Sequence, residues 1–139
     1  MHEGSTASPT ICSICEWGYG GIMLFAGIHH VSINVSDTET ALGFYRDVLG
    51  MAVLDRPNFG FGGAWLDAGG GRQVHLIEAA VPPDQGQHIA FEVDDIGATV
   101  SALRAAGIDV PEPRVVPDRS IRQTFVQDPD GNRIEFTQP

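Results

Sequence analysis

The chain has 139 residues, 42% hydrophobic and 19% charged, which is enough for one domain with a core, too little for two, and too apolar for disorder throughout. Eight Lys and Arg stand against 18 Asp and Glu, a formal charge of −10, which is the wrong sign for a nucleic-acid binder. No apolar run approaches the length of a membrane span, so no membrane partner is expected.

Residues 1–26 mix Gly, Ser, Thr and Pro without periodicity and are expected to form an irregular leader, with a single domain over 27–139. The leader carries Glu3 near its start and no Lys or Arg, so the basic opening of a signal peptide is missing and a cytoplasmic location is expected. Met23 stands just before the first clean strand and is an alternative translation start. Cys12 and Cys15 form a C-x-x-C, but no strand-to-helix turn surrounds them and no second pair completes a zinc site. They read as two incidental thiols.

From Gly27 onward the periodicity is clean. Residues 28–35 alternate, with Val31, Ile33 and Val35 on one face and His30, Ser32 and Asn34 on the other, which predicts a half-buried strand. Ser36-x-x-Glu39 resembles a capping box and opens a helix through about Leu49, whose apolar stripe is Ala41, Leu42, Tyr45, Val48 and Leu49, with Gly50 as the stop. Strands follow at 52–56, 63–67 and 73–78. The second half repeats the order: a strand at 87–93, a helix capped by Asp94 or Asp95 and running through Ala106, then strands near 110–115, 121–127 and 132–136. A turn, Asp128-Pro129-Asp130-Gly131, joins the last two. A shift of 58 residues lays His30 on His88 and Asp37 on Asp95, so the chain reads as two βαβββ units. The expected fold is α+β: a cupped, mostly antiparallel sheet with helices on its outer face.

Strand parity then selects four side chains. His30 lies opposite the apolar face of its strand, as do His75 (opposite Val74 and Leu76), His88 (opposite Ile89, Phe91 and Val93) and Glu135 (opposite Ile134 and Phe136). Each histidine alone reads as an ordinary surface or hydrogen-bonded residue. Four on the face away from the helices, at symmetric positions, read as a metal centre for one divalent ion: Ni, Zn, Co, Mn or Fe. By the same parity His29 is expected on the helix side, as a structural residue. Glu135 is a candidate general base, and Glu92, on the face of His88, is a weaker one.

These segments also resemble a known family. His30-Val31-Ser32-Ile33-Asn34-Val35-Ser36-Asp37 with Phe44-Tyr45-Arg46-Asp47-Val48-Leu49-Gly50, then His88-Ile89-Ala90-Phe91-Glu92-Val93-Asp94-Asp95, then Asp128 to Glu135, are similar to the opening, central and closing motifs of the vicinal oxygen chelate superfamily. This superfamily holds glyoxalase I, methylmalonyl-CoA epimerase, fosfomycin-resistance enzymes, bleomycin-resistance proteins and extradiol dioxygenases. The resemblance spans about residues 27–137. It implies a metal held at His30, His88 and Glu135, with His75 standing where glyoxalases of this type usually have Glu. It also implies a homodimer with sites drawing on both chains, and a small substrate that chelates the metal through two oxygens and reacts through an enediolate-like intermediate. A lyase or isomerase of glyoxalase type is expected. The alternatives are a fosfomycin-type thiol transferase, an extradiol dioxygenase, and a metal-free binding protein like the bleomycin-resistance members. Thiol dependence is left open. Ser32, Trp65, Gln123, Phe125 and Arg133 are expected to line the substrate pocket, with Phe59 and Phe61 near Trp65. Arg119 and Arg122, like Arg133, are basic candidates for an anionic group.

Overall fold

The computed structural model describes residues 23–139. His2, Cys12, Cys15 and most of the leader therefore lie outside the described residues.

Strand β1 (His30–Val35) leads into helix α1 (Thr38–Leu42), which continues as a π-helical turn over Gly43–Val48. Three strands follow: β2 (Val53–Leu54), β3 (Gly63–Asp67) and β4 (Gln73–Glu78). The second half repeats them as β5 (His88–Glu92), α2 (Ile96–Ala105), β6 (Arg114–Val115), β7 (Arg122–Gln127) and β8 (Arg133–Gln138). The strands make two four-stranded sheets, ordered β1-β4-β3-β2 and β5-β8-β7-β6. In each, the first strand pairs parallel with the last and the remaining pairs are antiparallel. The fold is thus α+β with two equivalent modules. The expected single cup is two mixed sheets, one per module.

The two helix starts show the repeat most clearly. Asp37 caps α1, its carboxylate accepting from Thr40 N at 2.8 Å, and Asp95 caps α2, accepting from Ala98 N at 3.0 Å. An aspartate oxygen here satisfies one of the backbone N–H groups that a helix start leaves unpaired. The first cap falls on Asp37, one residue beyond the capping box expected at Ser36. The helix expected through Leu49 opens after Leu42 into a wider turn, closed by Leu49 N donating to Phe44 O at 2.9 Å.

Val35, Leu66, Val74, Leu76, Ile96 and Ile134 are essentially inaccessible, and with Phe44, Tyr45, Val100, Leu103 and Phe136 they make one core drawn from both modules. Val31, Ile33, Ile89, Phe91 and Val93 pack against it. The modules are also tied by polar contacts at the Asp128–Gly131 turn. Tyr45 Oη donates to Asp128 Oδ2 at 2.7 Å, Ser36 N donates to Asp130 Oδ2 at 3.0 Å, and Asn132 Nδ2 donates to Asn34 O at 3.0 Å. Gly131, at φ 83°, supplies the left-handed residue that this turn needs. Among the described residues, no helix is long and apolar enough to cross a membrane.

Candidate metal centre

Strand pleat sends Val74, Leu76, Ile134 and Phe136 into the core, so His75 and Glu135 face the other way. Cross-strand register fills in the rest. In the first module Ser32 stands beside His75 from one side and Trp65 from the other. In the second module Ala90 and Phe125 flank Glu135 in the same manner.

The first module gathers aromatic rings. His30 stacks on His75 with centroids 3.9 Å apart, and Trp65 stacks on His75 at 4.5 Å. Because His30 and Trp65 come from the strands on either side of β4, the His75 ring is covered by both. It is only 8% exposed. Its Nε2 donates to Gln73 Oε1 at 2.8 Å, which leaves Nδ1 as the free nitrogen. Burial lowers the His75 pKa below the ordinary histidine value, and His30, His29 and Arg56 push it in the same direction. Phe59 lies 6.0 Å from Trp65 and stacks on Phe61, and the Arg56 guanidinium sits over both rings at 4.9 and 5.1 Å.

The second module pairs an imidazole with a carboxylate. His88 Nε2 lies 2.8 Å from Glu135 Oε2, and His88 Nδ1 lies 2.8 Å from Gly86 O. A carbonyl only accepts, so Nδ1 carries a proton. Nε2 is then the nitrogen that faces the Glu135 carboxyl oxygen. Asp84 organises the loop that presents Gly86. Its Oδ1 accepts from Gly86 N at 2.9 Å, and its Oδ2 takes the Arg133 guanidinium at 3.0 Å. The Gly86 N–H, followed by Arg133, lowers the Asp84 pKa below its ordinary value.

The expected residues therefore fall into two groups. His30, His75, Ser32 and Trp65 share the first half-site, and His88, Glu135 and Phe125 share the second, where Phe125 meets His88 edge-on at 5.4 Å. Arg133 is held by Asp84, with its guanidinium 5.9 Å from the Phe125 ring. Gln123 is half-buried opposite Thr137, one step beyond Glu135 on that face. Glu92 is exposed and also stands opposite Thr137, so it does not touch the His88–Glu135 pair. Among the described residues no three His, Cys, Asp or Glu side chains are placed so that they could hold a metal ion together. Three imidazoles and a carboxylate fit a divalent ion in donor chemistry, and each half-site supplies two of the four.

His29 departs from expectation. It is exposed and lies beside His30, Nδ1 to Nδ1 at 2.9 Å, with the rings edge to face. The strand begins at His30, and pleat parity does not extend to the residue before it. Gln73, Asp84 and Gly86 were also not singled out by the sequence. The roles of Asp84 and Gly86 depend on a loop path, Gln73 shares the strand face of His75 two residues on, and the only written signal for His29 is the histidine doublet.

The family model for the Glyoxalase/Bleomycin resistance protein/Dioxygenase superfamily matches residues 27–136. A lactoylglutathione lyase from Haemophilus influenzae is 37% identical over 121 residues, covering 78% of this chain and 90% of that protein. A glyoxalase family protein from Bacillus anthracis superposes with a TM-score of 0.75 at 30% identity, covering 85% of this chain and 98% of its own. An antibiotic-binding protein from Streptomyces superposes with a TM-score of 0.70, also at 30% identity, covering 85% and 99%.

Proposed function

The chain belongs to the glyoxalase, bleomycin resistance protein and dioxygenase superfamily, and from that premise we propose that it is a divalent-metal-dependent enzyme of the glyoxalase type, a lyase or isomerase acting on a small substrate with two neighbouring oxygens. The observation that carries this reading is the matched pair of half-sites: two imidazoles at one, an imidazole and a carboxylate at the other, at equivalent stations of a repeated module. His30, His75, His88 and Glu135 would hold the ion. When bound, such an ion polarises a carbonyl and stabilises negative charge developing on oxygen. Glu135 is the proton carrier in this reading. Its carboxylate would take a proton from a substrate carbon and return it to the neighbouring one. Glu92 is assigned no role, since it stands apart from that pair.

The proposed active species is a homodimer in which the first half-site of one copy meets the second half-site of the other. Three observations support it. Among the described residues, no three candidate ligands of one chain are placed to hold an ion. Both β1 and β5, which carry His30 and His88, lie at sheet edges, and the segment before β1 exposes Leu24, Phe25 and Ile28 as apolar surface for a partner to cover. A second reading, a binding protein without turnover, is favoured by the likeness to the Streptomyces antibiotic-binding protein and by the exposed Phe59 and Phe61 beside Trp65.

The deciding experiment measures bound metal and then turnover with 2-oxoaldehyde–thiol adducts, acyl-CoA epimers and catechols. Metal-dependent turnover of either of the first two supports the proposal, and comparing glutathione with other thiols settles thiol dependence. A metal-free protein without turnover supports the binding reading, and catechol cleavage would replace both.

A further inference from the structure

His30 and His88 open the first strand of their modules, and both have Nδ1 engaged. At His88 the partner is the Gly86 carbonyl, an acceptor with no proton to give. That fixes the proton on Nδ1 and turns Nε2 toward Glu135. Among the described residues no carbonyl takes this place at His30. The partner is the imidazole of His29, Nδ1 to Nδ1 at 2.9 Å, with ring planes 88° apart. The backbone holds His29 in position, because its carbonyl accepts from Gln73 N at 3.1 Å and so joins the β1–β4 ladder.

We propose that His29 is a positioning residue for His30. It accepts the Nδ1 proton of His30 and leaves Nε2 as the donor atom toward a divalent cation, as the Gly86 carbonyl does for His88. The inference rests on the metal reading above. Its physical basis is general: a ligating histidine is oriented, and its tautomer chosen, by what its other nitrogen bonds to. An imidazole differs from a carbonyl in one respect, since it donates as well as accepts. The first half-site therefore holds its tautomer less rigidly than the second.

The test uses the full chain, with zinc as the probe. Nitrogen-15 imidazole spectra of the metal-free protein show which nitrogen of His30 is protonated, and Nδ1 is expected. His29→Phe keeps a ring of similar shape and removes the acceptor. It should lose the Nδ1 preference at His30 and weaken zinc binding by about ten- to a hundredfold, the usual effect of losing such a partner. His29→Asn, whose amide oxygen accepts, should recover most of that affinity. A proton on Nε2 of His30 in the native protein overturns the proposal, as does unchanged zinc affinity in a folded His29→Phe variant. If the native protein takes up no zinc, the metal reading fails by itself, and the nitrogen spectra still decide the role of His29.

Discussion

His75 and Glu135 hold the same station in the two modules: each is the third residue of its closing strand, and each faces an aromatic ring across the antiparallel ladder, Trp65 in one case and Phe125 in the other. The repeat thus puts two different donors on one design, a neutral imidazole and a carboxylate. That asymmetry sets what each half-site contributes.

Purified protein should bind about one divalent ion per chain, as expected for a site with four protein ligands. His88→Ala or Glu135→Ala should abolish binding, while His75→Ala should weaken it less. Elemental analysis after dialysis reads this directly, and full occupancy in the Glu135→Ala protein would remove Glu135 from the site.

A sharing of sites between chains predicts complementation. A His30→Ala chain and a Glu135→Ala chain, each inactive in metal binding, should rebuild one intact site per mixed dimer. Sedimentation showing only monomer at micromolar concentration would rule this out.

Acidification should destabilise the metal-free protein through His75. Its folded-state pKa is depressed, so the unfolded chain binds more protons between that lowered value and the ordinary value of about 6.5. The stability tied to neutral His75 is complete above about pH 6.5 and is lost as pH falls through this window. His75→Gln should flatten that part of the profile. Urea midpoints for both proteins between about pH 7.5 and 5 span the window, and parallel profiles would show that His75 does not contribute.

Tyr45→Phe should cost stability without touching either half-site. It removes the hydrogen bond to Asp128, worth about 1.5–3 kcal/mol for a bond to a charged group. Burial, then the Asp128 charge, pushes the phenol pKa far above its ordinary range, so Tyr45 remains a donor at any working pH. Asp128 keeps Asp130 N, Asn132 N and Asn132 Nδ2 in the variant, so the turn should persist. An unchanged urea midpoint would mean that solvent replaces the tyrosine at no cost.

Local chemistry carried much of this protein. The period-2 pattern fixed which face of each strand bears His30, His75, His88 and Glu135, because pleat parity depends only on neighbours in the chain. The 58-residue shift exposed the two modules, and Asp37 and Asp95 do take equivalent cap positions. Tertiary structure decided what parity cannot reach. Tyr45 and Asp128 meet across 83 positions and His88 and Glu135 across 47, distances over which no local pattern specifies a partner. The stacking of His75 between His30 and Trp65 follows from strand order in the sheet, which places β4 between β1 and β3. His29 shows the limit most plainly. One residue before the strand begins, the alternation that orders its neighbours has no hold on it, and only the folded chain turns its ring toward His30.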